Sequence, residues 1–297
     1  MTNRKHYIIA GIILLFLSVP IIGTILYSFS SSWGATILPD GLSLKWYAQL
    51  FSDTRFLMAL QRSLLLAVVS LAISLVVIIP SIVISAYYFP KVLKVIELLS
   101  LLPFMVPAVV LAVGLLKVYS GVNITIFGIP IIIIGAYFSV AFPFIYRGVK
   151  NGLDSLHLQS LVETVNILGG TNLDAFRFVI LPNLKKGITS SGILSLAILL
   201  GEFMFANLLI GGRYETLQIY LNSMKGKSGH FTSAMVSLFF VFIFVTTYVA
   251  INIEKIVKRR EKYQKKREEV NYGVCRDKKF SKKIWRYAGF KKYKYKY

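Results

Sequence analysis

The sequence predicts an all-α membrane protein with six bilayer-spanning helices. Three observations carry that reading. Apolar runs exceed the ~20 residues needed to cross a ~30 Å hydrocarbon core. The composition is 56% hydrophobic and 16% charged, with mean hydropathy +0.66, whereas a soluble domain has about 25% charged residues. The cations also gather in alternate connections between the apolar runs, as the positive-inside rule expects of a multi-pass chain.

Residues 1–6 are polar, with Arg4 and Lys5, and form a short cytoplasmic N-terminus. The first span is 7–29. It is too long for a signal peptide and lacks a small-residue cleavage site, so it reads as an uncleaved anchor. Pro20 lies inside it and is expected to kink it. A mixed loop follows, with an amphipathic piece around Trp46 and interfacial aromatics Trp33, Trp46 and Tyr47. The remaining spans are expected at 63–89, 96–119, 127–146, 187–210 and 231–253. Pro103 and Pro107 are placed to break the third span, although prolines are also ordinary in spans. Gly187, Ser191 and Ser195 recur every fourth residue on the fifth, and small residues at that spacing let helix backbones approach closely. That contact lies within the chain or between subunits.

Six spans put both termini on one side. Segments 1–6, 90–95, 147–186 and the tail share that side and hold most loop Lys and Arg, which makes it cytoplasmic. Net charge is +21, and from Glu254 onward 18 basic residues stand against 5 acidic ones. The tail, 261–297, reads as disordered and basic, suited to anionic lipid. No nucleic-acid-binding fold is apparent in it. The single Cys275 excludes a disulfide framework, and the scattered His6, His157 and His230 do not form a metal motif. No cofactor or metal is expected, and no catalytic residue.

The most structured polar stretch lies in the loop 154–184. Asp154 or Ser155 can cap a helix on which Leu158, Leu161, Val162, Val165 and Leu168 make one apolar face. Glu163 and Asn166 lie off that face. Gly169 and Gly170 break the helix, since glycine takes the left-handed conformation that helix ends favour. Thr171 or Asn172 can cap a second helix, with Asp174 in its first turn near the positive end of the dipole. Phe176, Val179 and Ile180 form its apolar side, and Pro182 marks a bend or stop.

This stretch resembles the cytoplasmic EAA loop of permease subunits of binding-protein-dependent ABC importers. The family pattern is Glu-Ala-Ala, three residues, Gly, nine residues, Ile-x-Leu-Pro. Here Glu163 and Gly169 hold the first and glycine positions, Leu181-Pro182 close the motif, and Val179 stands where isoleucine is usual. Thr164 and Val165 replace the alanines. The resemblance covers about residues 7–260 and implies the MetI-like, type I importer fold. It also implies that Glu163, Gly169, Asp174 and Pro182 shape the contact with a separate cytoplasmic ATP-binding subunit. The further partners it implies are a second permease, of a different chain, and an extracytoplasmic solute-binding protein. The location it implies is the cell (inner) membrane.

Within the family the chain most resembles the spermidine/putrescine-type branch, on residues 42–51, the Pro-x3-Pro of the third span, and Gly201-Glu202-Phe203. That resemblance implies a polyamine solute, with iron, sulfate, thiamine or aminoethylphosphonate as alternatives. Two other classes are an ATP-independent secondary transporter or channel, and a membrane scaffold whose basic tail recruits partners. The chain has no P-loop, no His-Glu-x-x-His and no catalytic triad, so it is not expected to hydrolyse ATP itself. Glu202 lies inside the fifth span, where a carboxylate is costly. It is either a group lining a translocation path, together with Asn207, or a structural hydrogen-bond partner.

Overall fold

The computed structural model describes residues 2–34, 39–119, 121, 124–226, 228–248 and 251–252. The basic tail 261–297, Lys227 and positions 249, 250 and 253 of the expected sixth span lie outside the described residues.

Helix α1 (Thr2–Phe29) begins within the segment expected to be a polar terminus and continues through Pro20. Its apolar side chains point outward along its length, so lipid is the solvent it suits. Helix α2 (Lys45–Ser52) is followed at once by α3 (Thr54–Tyr88). Asp53 caps α3 by accepting the Arg55 N–H at 2.8 Å. The second span therefore starts nine residues before the expected 63. At 35 residues, α3 is about 52 Å long and overreaches a bilayer core.

The third span is broken. Helices α4 (Pro90–Met105) and α5 (Ala108–Tyr119) meet at 105°. Pro107 supplies the reason: it has no N–H, and it pushes the preceding Val106 into extended backbone (φ −109°, ψ 129°). Pro103 stays inside α4. The fourth helix does not begin at 127. Phe127 and Gly128, both at positive φ, close a two-stranded hairpin of β1 (Thr125–Ile126) and β2 (Ile129–Pro130). Helix α6 (Ile131–Asp154) follows and runs past the expected end at 146.

Helix α7 (Leu158–Ile167) and the short α8 (Asn172–Asp174) lie in the loop between α6 and α9 (Leu181–Leu200). The expected fifth span 187–210 is interrupted. Helix α9 ends at Leu200, Gly201 to Phe203 are non-helical, and α10 (Met204–Leu209) follows. A 3-10 turn (Gly211–Tyr214), α11 (Leu217–Ser223) and α12 (Gly229–Tyr248) complete the described chain.

The core is the packing of α3, α6 and α9. Gly187 meets α6 at Gly148: a Cβ at 187 would sit 2.2 Å from the Gly148 carbonyl oxygen, and one at 148 would lie 2.5 Å from Ser191 Cβ. The small-residue stripe is thus an internal helix crossing. A second core joins α2, the start of α3, α11 and α12 through Leu50, Phe56, Tyr220 and Met235. Among the described residues, four helices are long and apolar enough to cross a membrane, and five if α4 and α5 count as one span. The expected span missing from that count is the fifth, which corresponds to α9. It is 20 residues long, but its Lys, Gly and Ser content lowers its hydropathy.

Candidate functional site

Residues 154–184 form a helical elbow at the end of α6 and α9. Asp154 is not a cap for α7. It is the last residue of α6 and pairs with Lys150, while Ser155 folds back onto the Gly152 carbonyl at 2.7 Å. The residue before α7 is His157, which makes no side-chain cap. Val162 is buried and Leu158, Leu161 and Val165 are half-buried, as the apolar stripe requires. Leu168 departs from it. With Ile167 it projects outward, 81% and 86% exposed, and Leu173 beyond the turn is 73% exposed. The elbow therefore presents an apolar tip.

Both glycines at the tip are required, for different reasons. Gly169 has φ +84° and open space around its Cβ position. Gly170 has no positive φ, but a Cβ there would lie 2.6 Å from Val165 Cγ1. The turn closes through Gly170 N–H to the Val165 carbonyl at 2.9 Å. Of the two candidate caps, Thr171 is the one used. Its hydroxyl accepts the Asp174 N–H at 3.2 Å, and Asp174 accepts the Thr171 N–H at 2.8 Å. The Thr171 hydroxyl also bonds the Asp174 carboxylate at 2.7 Å. These bonds, from the side chain first and then the backbone of Thr171, hold the Asp174 carboxyl below its ordinary range. Asn172 links the tip to the rest of the fold, donating to the Tyr88 hydroxyl at the end of α3 (2.7 Å) while accepting from Asn166 (3.1 Å). Between this tip and α3 lies an apolar cavity of about 390 Å³ that includes Pro80, Tyr87, Val162 and Phe176.

Pro182 neither stops nor ends the second helix. The chain is helical without interruption from 172 to 200, with one π-helical segment at Ala175–Ile180. Pro182 occupies the start of α9, where the wider register absorbs its missing N–H. The Asn183 side chain donates to the Val179 carbonyl at 2.7 Å. Glu163 lies exposed on α7, and among the described residues its carboxylate has no hydrogen bond or ion pair.

The second pair of candidates is not brought together. The Glu202 carboxylate turns back onto α10, accepting the N–H groups of Phe205 (2.9 Å) and Ala206 (3.1 Å). The break at Gly201 frees those N–H groups, and the carboxylate satisfies them. Asn207 instead lines a cavity of about 550 Å³ bounded by the end of α5, the hairpin, α10 and the 3-10 turn. Arg213 lines the same cavity. The sequence reading missed Arg213, although its position just beyond an apolar run was visible.

The described chain is thus a set of helices long and apolar enough to cross a membrane, carrying an elbow with an exposed apolar tip. The chain belongs to the family of binding-protein-dependent transport system inner membrane components, whose model matches residues 78–262. A putative 2-aminoethylphosphonate transport system permease protein, PhnV, of Salmonella typhimurium is 24% identical over 247 residues, covering 83% of this chain and 91% of that protein. Its counterpart in Salmonella choleraesuis is 23% identical over 246 residues. Among solved structures, a bacterial ABC transporter that imports the acidic polysaccharide alginate superposes with a TM-score of 0.62 at 15% identity, covering 86% of this chain and 97% of that one. The MetNI methionine ABC transporter, in an inward-facing conformation, superposes with a TM-score of 0.53 at 16% identity over 68% of this chain. The type I importer permease fold is thus shown. The spermidine/putrescine branch is not: the curated relatives fall with the aminoethylphosphonate alternative.

Proposed function

We propose that this chain is one permease subunit of an ATP-driven importer, and that its elbow docks a separate cytoplasmic ATP-binding subunit. The observation that carries the reading is the apolar tip of Ile167, Leu168 and Leu173 on a turn held by Gly169, Gly170 and the Thr171–Asp174 capping box. Exposed apolar groups on a rigid mount are costly in water and favourable against a partner. Glu163, exposed on the same helix, offers that partner a charged contact. The uninterrupted helix from 172 to 200 supplies a stiff lever from the tip into the core. Closure of the ATPases displaces the elbow, and the lever tilts α9 against α6 at the Gly148–Gly187 crossing, exposing the path to alternate sides.

The chain crosses the cell membrane six times with both termini cytoplasmic, pairs with a second, different permease, and receives solute from an extracytoplasmic binding protein. The tail 261–297 meets anionic lipid. The solute is a small aminoalkylphosphonate. Similarity to the PhnV proteins supports that choice. Asn207 lies on the translocation path, whereas Glu202 acts on it only by capping α10.

A mild-detergent pull-down of the tagged chain, read by mass spectrometry, tests the assembly. A P-loop ATPase and a second polytopic permease should accompany it. A chain that emerges alone, yet moves solute in ATP-free liposomes, would make it a secondary transporter.

A further inference from the structure

We infer that the cavity beside Asn207 and Arg213 is an anion-holding subsite, in which Arg213 takes the phosphonate or carboxylate group of the solute as it enters. This rests on the importer reading above. The cavity lies at the end of α6 and α9 opposite the elbow, since it is lined by Pro130 at the end of β2 and Ile132 at the start of α6, whereas α6 reaches the elbow at Asp154. Its volume of about 550 Å³ suits a small organic molecule. Arg213 is its one charged group among the described lining residues, with the Asn207 amide and the Tyr119 and Thr125 hydroxyls as neutral hydrogen-bonding groups.

Three arginines stand at this end of the bundle, and two are engaged. Arg55 is held by both carboxylate oxygens of Glu215 at 2.6 and 2.7 Å. Arg62 lies over the Tyr214 ring at 5.5 Å. Among the described residues Arg213 has no acidic partner. A guanidinium is always protonated, and its fork of donors matches the paired oxygens of a carboxylate or phosphonate. A cavity of that charge attracts an organic anion and repels a polyamine, which agrees with the failure of the polyamine branch.

The test uses the full complex, with Cys275→Ser removing the native thiol and Asn207→Cys as reporter. Negatively and positively charged methanethiosulfonate reagents of similar size are applied from the side opposite the elbow. The negative reagent should react faster, and Arg213→Gln should lower the ratio of the two rates roughly tenfold, as expected for loss of the one unit charge lining the cavity. Arg213→Lys should retain most of it. On the Asn207 background, Arg213→Gln should cut 2-aminoethylphosphonate uptake by proteoliposomes at least tenfold through KM, with ATP hydrolysis still stimulated by the loaded binding protein.

A rate ratio indifferent to Arg213, or a position 207 unreachable from that side, overturns the subsite. So does uptake unchanged by Arg213→Gln. A rate ratio that responds in a complex that does not take up 2-aminoethylphosphonate supports the subsite and removes the proposed solute instead.

Discussion

Gly169→Val should separate ATP hydrolysis from transport while leaving membrane insertion intact. At φ +84° a side chain is opposed by backbone geometry alone, because nothing lies within 4 Å of the Cβ position. A left-handed conformation costs a non-glycine residue roughly 1–2 kcal/mol, and more when it is β-branched. A penalty of that size shifts the balance between the native turn and alternatives by about 5–30-fold. The tip then no longer presents Ile167, Leu168 and Leu173 together. Gly169→Asn, which tolerates this region, should be nearly silent. Gly170→Ala should give a similar phenotype by a different route. Its Cβ would lie 2.6 Å from Val165 Cγ1, against the ~3.5–4.0 Å of ordinary carbon contact. Valine is stiff about χ1, so overpacking of about 1–3 kcal/mol results. Adding Val165→Ala removes that methyl and should restore function to Gly170→Ala but not to Gly169→Val. The assay is solute taken up per ATP hydrolysed by the reconstituted complex. A wild-type ratio in Gly169→Val, or equal rescue of both variants by Val165→Ala, would refute the reasoning.

Gly187→Ala should lower the thermal unfolding temperature in detergent. Its Cβ, 2.2 Å from the Gly148 carbonyl oxygen, must retreat about 1 Å to reach ordinary carbon–oxygen contact, at about 1–3 kcal/mol. Gly192→Ala on the same helix meets nothing within 4 Å and should be neutral or stabilising by up to ~1 kcal/mol; identical behaviour of the two would remove the case for the crossing. Because the Asp174 carboxyl is held below its ordinary value, its contribution is fully present above the unfolded-state value, at neutral and mildly acidic pH, and is lost as pH falls through the folded-state value. Amide exchange near residue 174 should therefore slow as pH rises out of the acid range, relative to intrinsic rates, and Asp174→Asn should abolish that dependence. Arg55→Ala leaves the buried Glu215 carboxylate without its bidentate partner and should cost about 1–3 kcal/mol. Glu215→Gln in that background should recover part of the lost unfolding temperature; no recovery would mean the arginine acts through its packing over Tyr220.

The fold class was legible because lipid imposes a simple rule: a span must be long, apolar and helical. The elbow was legible because capping and glycine conformations are local chemistry. Thr171, Asp174 and Gly169 act on backbone groups within three residues of themselves, so the sequence contains the whole interaction.

Other features depend on partners far along the chain, and only the tertiary structure decided them. Leu168 belongs to the apolar stripe by spacing, yet the helix ends before any neighbour covers it. Pro182 reads as a stop, yet a π-helical segment accommodates it. Gly187 offered a close contact but could not name Gly148, thirty-nine positions away, as its partner. Glu202 and Asn207 lie five residues apart in one apparent span, yet the break at Gly201 turns one onto a helix end and the other toward a cavity with Arg213. Local hydrogen bonding and hydropathy are properties of a segment, so the sequence by itself determined the helical, apolar character of the chain and the turn of the elbow. Packing and cavities are properties of pairs of segments, and those appear only once the helices are side by side.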